Sequence, residues 1–235
     1  AEKYESGVYP FNNYGKGVIR GYGIKLWNPF ILDRLTLLVR ALGEQFNSHP
    51  YFEGIGFTES SMGESQSLSN NKIDDYYRNL LRLNKEARRY FPNTMTYQFA
   101  NYPRRILGPF IGTLKETGTA LGGPDIFMEE AGLAQQKHPK GVYHYYPELS
   151  GMVPLTPSVQ HQNYQSTRWD GSGYEPDVTE LLAFARDRLK ANYLFWTRDP
   201  KYYSRVLKML NKLDLSDPAG GLDSTCPKAF SSCFN

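Results

Sequence analysis

An α/β fold with parallel strands is predicted by two features of the sequence. Short apolar, β-prone runs alternate with amphipathic helical stretches about five times, the pattern of parallel strands joined by helical crossovers. Long polar loops rich in aromatic residues follow those runs, where a barrel of parallel strands carries its functional groups. No Gly-x-Gly-x-x-Gly or phosphate-loop pattern follows any run, which favours a barrel over a doubly wound nucleotide-binding sheet. The expected architecture is a (β/α)8 TIM-barrel-like fold, incomplete, with about five β/α units visible.

Residues 1–27, rich in Tyr, Gly and Asn, show little periodicity and are expected to form an irregular N-terminal segment. The barrel-like domain then spans 28–213. Its first helix opens with Asn28 as N-cap and Pro29 in the first turn, and Gly43 is the expected stop. Ile31, Leu32, Leu35, Leu38, Val39 and Leu42 give it one apolar stripe. A strand near 52–58 follows, then a polar loop over 60–71 and a second helix over 72–90 that ends before Pro92-Asn93. Further strands are expected near 94–99, 119–122, 151–156 and 192–196. A short helix lies around 106–116, and residues 126–150 form a long insertion-like loop. Asp177 and Glu180 have the spacing of a capping box. Asp199-Pro200 begins the last helix, whose stripe is Tyr203, Val206, Leu207, Leu210 and Leu213. The tail, 214–235, is polar and aperiodic.

The 235 residues suffice for one large domain or two small ones, and 40% hydrophobic content allows a sizeable core. Net charge is +3 with no basic block, which argues against nucleic acid as a partner. No run approaches the roughly 20 apolar residues of a membrane span. The 18 Tyr, 13 Phe and 3 Trp are the compositional signal: rings near strand ends suit sugars, whose C–H faces stack on them, or else serve as packing. Cys226 and Cys233 lie close together near the end of the sequence. They read as a small disulfide loop, which implies an oxidising, secreted or periplasmic compartment, or as two free thiols. Their spacing is not that of a zinc site, and neither a metal nor a cofactor is expected. Ala1 in place of Met suggests a mature or trimmed product.

Glu59 stands at the C-terminal end of the 52–58 run, the position from which a barrel strand presents a catalytic carboxylate. Leu26-Trp27-Asn28-Pro29, the helix to Gly43, and His49-Pro50-Tyr51-Phe52-Glu53-Gly54-Ile55 resemble the approach to strand four in (β/α)8 glycoside hydrolases of the large retaining clan. The resemblance covers roughly residues 17–212, the C-terminal two-thirds of such a barrel. It implies that Glu59 is the acid/base and that Trp196 is a strand-eight sugar platform. Three departures accompany it. Thr58 replaces the Asn that the clan carries before its acid/base. The strand-seven candidate ends in Val159-Gln160-His161-Gln162, without the nucleophilic carboxylate. The first three β/α units are missing.

An amide at Gln160 or Gln162 can neither form a glycosyl ester nor act as a base. The second carboxylate must therefore come from Asp125, Glu129 or Glu130; the ordinary alternatives are a turn cap for Asp125 and a solvated face for the glutamates. Tyr97, Asn101, Tyr102, Gln160, His161, Gln162 and Trp196 are the expected substrate contacts, in a cleft whose floor is a partly buried Glu59. Three functions compete: a secreted carbohydrate-active enzyme, or a fragment of one, acting on an oligo- or polysaccharide; a non-catalytic carbohydrate-binding protein on a degenerate barrel; and a structural or interaction domain whose Tyr-rich loops contact protein. Five strands cannot close a barrel, so pairing with a second copy or a longer N-terminal region is expected as well.

Overall fold

The computed structural model describes residues 2–12, 17–65, 68–166, 168, 171–214, 216–225 and 227. Two compact units divide the chain: residues 1–55 with 61–96, and residues 56–60 with 97–235. Among the described residues the strands are β1 (Val8–Asn12), β2 (Ile19–Ile24), β3 (Gly54–Phe57), β4 (Met95–Phe99), β5 (Ala120–Gly123), β6 (Leu155–Val159) and β7 (Phe195–Trp196). The helices are α1 (Pro29–Phe46), α2 (Asn70–Tyr90), α3 (Arg104–Thr117), α4 (Tyr145–Leu149), α5 (His161–Gln165), α6 (Val178–Ala183) and α7 (Tyr203–Leu210).

In the first unit, the N-terminal segment expected to be irregular instead carries an antiparallel hairpin of β1 and β2. Its strand signal is masked because the partners of its two inward rings are glycines. Tyr9 faces Gly23 and Phe11 faces Gly21, and a β-carbon at either glycine would come within 2.8 Å of the facing ring. The Tyr9 hydroxyl donates to the Met62 carbonyl (3.1 Å), and its ring lies 5.1 Å from that of Trp27.

Asn28 caps α1 as expected, its side-chain oxygen accepting from the amides of Phe30 (3.0 Å) and Ile31 (3.3 Å). Gly43, however, does not stop the helix, which runs on to Phe46. Its role is close packing: a β-carbon there would sit 2.5 Å from the Tyr90 carbonyl oxygen at the end of α2. Ser69 caps α2, accepting from Lys72 N at 3.4 Å. Beyond α2, the Arg88 guanidinium donates to the carbonyls of Phe91, Pro92 and Thr94 and closes the turn into β4. Phe46, Phe52 and Phe91 stack in a row at centroid spacings of 5.2 and 5.8 Å.

The main sheet is parallel and takes its strands in chain order, β3-β4-β5-β6-β7, with helices in the connections. It is curled into a half-barrel. Two strands separate β4 from β7, a span of about 14 Å in a flat sheet. The rings of Tyr97 on β4 and Phe195 on β7 nevertheless lie 5.7 Å apart on the concave side. Phe99 completes this cluster, 5.4 Å from Tyr97 and 6.2 Å from Phe195. The rings fit because Gly56 and Gly122 lie beneath them: a β-carbon at Gly56 would come 2.1 Å from the Tyr97 ring, and one at Gly122 would come 2.2 Å from Phe99.

On the other side of the second unit, Leu107, Phe110, Ile111 and Leu114 of α3 are buried together with Leu121, Leu155, Val159, Leu181 and Leu189. The strand expected at 151–156 runs instead from Leu155 to Val159, through Pro157. The capping box at Asp177 and Glu180 forms as predicted, and α6 runs on as a π-helical stretch, Phe184–Arg188. The insertion-like loop contains α4 and a single turn, Val142–His144, before it. The last helix begins at Tyr203 rather than at Pro200. Buried Asn192 ties the tail to the sheet: its Oδ1 accepts from Leu155 N (3.1 Å), and its Nδ2 donates to the carbonyls of Asp223 (3.1 Å) and Thr225 (2.9 Å). Cys226 and Cys233 lie outside the described residues. Among the described residues no helix is long and apolar enough to cross a membrane.

The glycines give a test with opposite signs. Gly112 in α3 has no heavy atom within 4 Å of a built β-carbon, so Gly112→Ala should stabilise by about 0.5–1 kcal/mol through helix propensity alone. Gly43→Ala gains the same propensity but meets the Tyr90 backbone, so urea unfolding should show a net loss of about 1–3 kcal/mol.

Candidate functional site

All five parallel strands end on the same side of the sheet, and the chain segments leaving β3 to β6 hold a connected set of polar groups. Ser60, fully buried, begins the construction. Its hydroxyl donates to the Tyr102 carbonyl (2.7 Å) and accepts from Asn101 N (3.2 Å), fastening the end of β3 to the end of β4. This brings Asn101 beside Glu59. The Asn101 carboxamide accepts from Tyr102 N through Oδ1 (2.7 Å) and donates through Nδ2 to Glu59 Oε1 (2.7 Å). Gln98, three residues earlier on β4 and buried, donates to the carbonyls of Phe99 (2.9 Å) and Phe57 (3.4 Å) and supports the same corner.

Glu59 is exposed, not the partly buried floor of a cleft. The reason is its place in the chain: it lies two residues past Phe57, the end of β3, and the buried position there belongs to Ser60. The shielded carboxylate is Asp125, just beyond β5. Burial foremost pushes its carboxyl up to about 6, and the negative charges of Glu59 and Glu130 add to this, while a hydrogen bond from Asn163 opposes it. The Asn163 Nδ2 donates to Asp125 Oδ1 at 3.4 Å. The Tyr143 hydroxyl donates to the Asp125 carbonyl (3.2 Å) and accepts from Phe127 N (2.8 Å), holding the loop backbone. Tyr146 lies nearby, with its ring packed edge-on 6.5 Å from that of Tyr143. Its buried hydroxyl has no partner among the described residues, and Gly123 leaves room for it, since a β-carbon there would be 2.7 Å away. Burial pushes the phenols of both tyrosines up, so each remains a neutral O–H.

The other expected residues divide. Glu130 belongs to the network: Tyr102 donates to its Oε1 (3.1 Å) and Leu133 N to its Oε2. It raises the Asp125 carboxyl, and together with burial, the larger cause, it raises the Tyr102 phenol. Glu129 is exposed and pairs with Arg168 (3.4 Å). Tyr97 is a member of the concave aromatic cluster. Strand alternation puts Phe195 in that cluster, and Trp196 instead stacks on Tyr164 at 6.3 Å. Tyr164 in turn lies flat against Tyr202 at 4.8 Å. Gln160 is a brace, donating to Ser158 Oγ (2.9 Å) and accepting from Thr197 Oγ1 (3.0 Å). Gln162 is exposed on α5.

His161 Nδ1 bonds to Asp199 Oδ2, and its Nε2 meets the Gln165 amide nitrogen at 2.8 Å. The Gln165 amide donates, so Nε2 accepts and Nδ1 carries the hydrogen. The bond to His161 holds the Asp199 carboxyl below its usual range.

Two residues that bear on the site escape a sequence reading, Asn163 and Asp199. Asn163 is fully buried and serves both β5 and β6: its Oδ1 accepts from Gln160 N (2.6 Å) and Ile126 N (3.2 Å). Its only sequence signal is the three-residue spacing from Gln160 at the start of a helix. Asp199 carried a signal as a helix start, not as the partner of a histidine 38 residues earlier. Among the described residues no group of His, Cys, Asp and Glu is placed to hold a metal ion.

The raised Asp125 carboxyl has a consequence for stability. A carboxyl at about 6 in the fold and about 4 in the unfolded chain binds its proton more tightly when folded. Its ionisation therefore costs stability as pH rises from about 4 through about 6, and the cost is constant above. Asp125→Asn removes it. The variant should be more stable than the parent by about 1–3 kcal/mol near pH 8, and the difference should shrink near pH 4, as read by urea unfolding at the two values. No family model, curated protein or solved structure matches this chain.

Proposed function

We propose that the chain is a carbohydrate-active hydrolase whose proton donor is Asp125 and whose charged partner is Glu59. The observation that carries this reading is the contrast between two carboxyl groups on the same side of the sheet, one after β3 and one after β5. Asp125 is shielded, pushed up to about 6 and sensitive to the charge of Glu59, whereas Glu59 is exposed and oriented by the Asn101 amide. Two carboxyl groups whose surroundings differ in this way can divide acid and base roles. The assignment reverses the one that the glycoside hydrolase resemblance implies for Glu59.

In the proposed reaction Asp125 gives its proton to the glycosidic oxygen as the C–O bond to the anomeric carbon breaks. Glu59 takes a proton from the water whose oxygen bonds to that carbon. The leaving sugar thus departs as an alcohol, and the two carboxyl groups exchange protonation states until solvent restores them. Asn101 fixes one Glu59 oxygen and leaves the other for water. Glu130, held by the Tyr102 hydroxyl, keeps negative charge near Asp125 and favours its protonated form. His161, whose two nitrogens are held by Asp199 and Gln165, is the proposed contact to the sugar through its exposed ring carbons.

The five β/α units are read as part of an eight-unit barrel of the glycoside hydrolase type; the parallel sheet in chain order and the carboxylates at its strand ends support this. The proposed substrate is an oligo- or polysaccharide met in an oxidising compartment, the latter resting on Cys226 and Cys233. A second reading, a sugar-binding protein without turnover, draws on the missing carboxylate after β6, where Gln160 serves as a brace.

Reducing-sugar release from a panel of polysaccharides separates the two. For a hydrolase, Asp125→Asn and Glu59→Gln should each lower kcat by roughly 10²–10⁴ with little change in Kd. The parent's kcat should fall as pH rises through about 6, because the donor must hold its proton. Sugar binding without turnover in any form would establish the second reading.

A further inference from the structure

We propose a second ligand site, for a tetrahedral oxyanion, in the cavity of about 330 Å³ lined by Gln136, His144, Pro147, Glu148 and Arg188. It lies between α4, with the turn that precedes it, and the end of the π-helical stretch after α6. None of its residues takes part in the carboxylate network at the strand ends, and the inference does not depend on the proposed hydrolysis.

The argument begins with one nitrogen atom. His144 Nδ1 meets Gln136 Oε1 at 3.2 Å; that oxygen accepts, so Nδ1 carries a hydrogen. On the opposite side of the ring, Nε2 is in contact with Lys140 Nζ and lies 3.1 Å from Glu148 Oε1. The Lys140 ammonium has only hydrogens to give, and the Glu148 carboxylate only lone pairs. Nε2 offers either one lone pair or one hydrogen, so it satisfies Lys140 or Glu148 and never both.

Either arrangement leaves an excess of positive charge. With a neutral ring, Lys140 and Arg188 face Glu148 alone. With a protonated ring, three cationic groups face it. Lys140 lies 3.9 Å from Glu148, a long ion pair. Arg188 lines the cavity with no hydrogen bond or ion pair among the described residues. A planar guanidinium and an imidazole on the lining, with the Lys140 ammonium against that imidazole, suit a sulfate or phosphate group, whose oxygens accept from several directions at once. Bound there, it would accept from Arg188 and from the Lys140 hydrogens that Nε2 leaves without an acceptor when it donates to Glu148. Glu148 is its competitor, with a side chain exposed enough (55%) to swing into solvent.

The same chemistry comes from free inorganic phosphate or sulfate, or from a sulfate ester on a sugar. Side-chain NMR of His144 and Arg188 reads occupancy during titration with inorganic phosphate, inorganic sulfate and a sugar monosulfate, at constant ionic strength set with chloride. The expected result is saturable shifts of both side chains. Arg188→Gln should weaken binding about tenfold, the loss of one charge-assisted contact. Glu148→Gln should tighten it severalfold, because the competing acceptor loses its charge; a general effect of salt on the surface would not change sign between these variants. A sugar monosulfate that binds more tightly than the free ions supports the site and names the ester as its source; equal or weaker binding supports it and names the free ion. Shifts that fail to saturate, or that are equal in the parent, Arg188→Gln and Glu148→Gln, would overturn the proposal.

Discussion

The half-barrel depends on rings laid over glycines. A parallel sheet curls only as tightly as the side chains on its concave face permit, and here that face is filled by Tyr97, Phe99 and Phe195. Gly56 on β3 and Gly122 on β5 remove the β-carbons that would hold these rings off the sheet. The bulk is concentrated on β4 and β7, and the strands around β4 supply the space. That division sets how far the strand ends converge, and so where Glu59, Asn101 and Asp125 stand. Dense interior packing transmits such placement faithfully, since a core at crystal-like density has little room to adjust.

The polar groups on the strand ends follow a consistent pattern: side-chain amides and hydroxyls link neighbouring strands, and carboxylates hang from those links. Ser60 joins β3 to β4, Asn163 joins β5 to β6, and Gln160 bridges from β6 to Thr197 after β7. A carboxylate held in this way keeps its position without a cation beside it, which is how Asp125 retains a raised carboxyl in a polar setting. A lysine or arginine in the place of Asn163 would hold the same oxygen while driving the proton off.

Much of this arrangement was legible in the sequence. The alternation of β-prone runs and helical stripes located the five parallel strands, and Asn28 and the Asp177–Glu180 pair marked helix starts by their own chemistry. Asp125 stood in the sequence only as one of three candidates, with Glu129 and Glu130, for the second carboxylate that the glycoside hydrolase resemblance implies. The misreadings have physical causes. The β1–β2 hairpin was hidden because its inward partners are glycines, which carry no hydrophobic signal. Gly43 looked like a helix stop because its close approach to Tyr90 is a tertiary contact. Trp196 and Phe195 were open to exchange because a two-residue strand gives alternation no length over which to register. Glu59 was assigned a burial that belongs to its neighbour Ser60, since one position along an extended chain reverses the direction a side chain takes.

The Asn192 carboxamide couples two parts of the molecule that are far apart in sequence. Its oxygen holds the first amide of β6, while its nitrogen holds two carbonyls of the tail. A primary amide is a single rigid plane, so these three bonds share one orientation and are kept or lost together. When the tail detaches, the plane is free to turn, and the amide of Leu155 loses its acceptor although nothing in β6 has moved. Solvent exchange at that one backbone hydrogen would thus register the state of a segment nearly 70 residues downstream. The start of β6, deep in the fold, serves as a gauge of how firmly residues 223–225 are held.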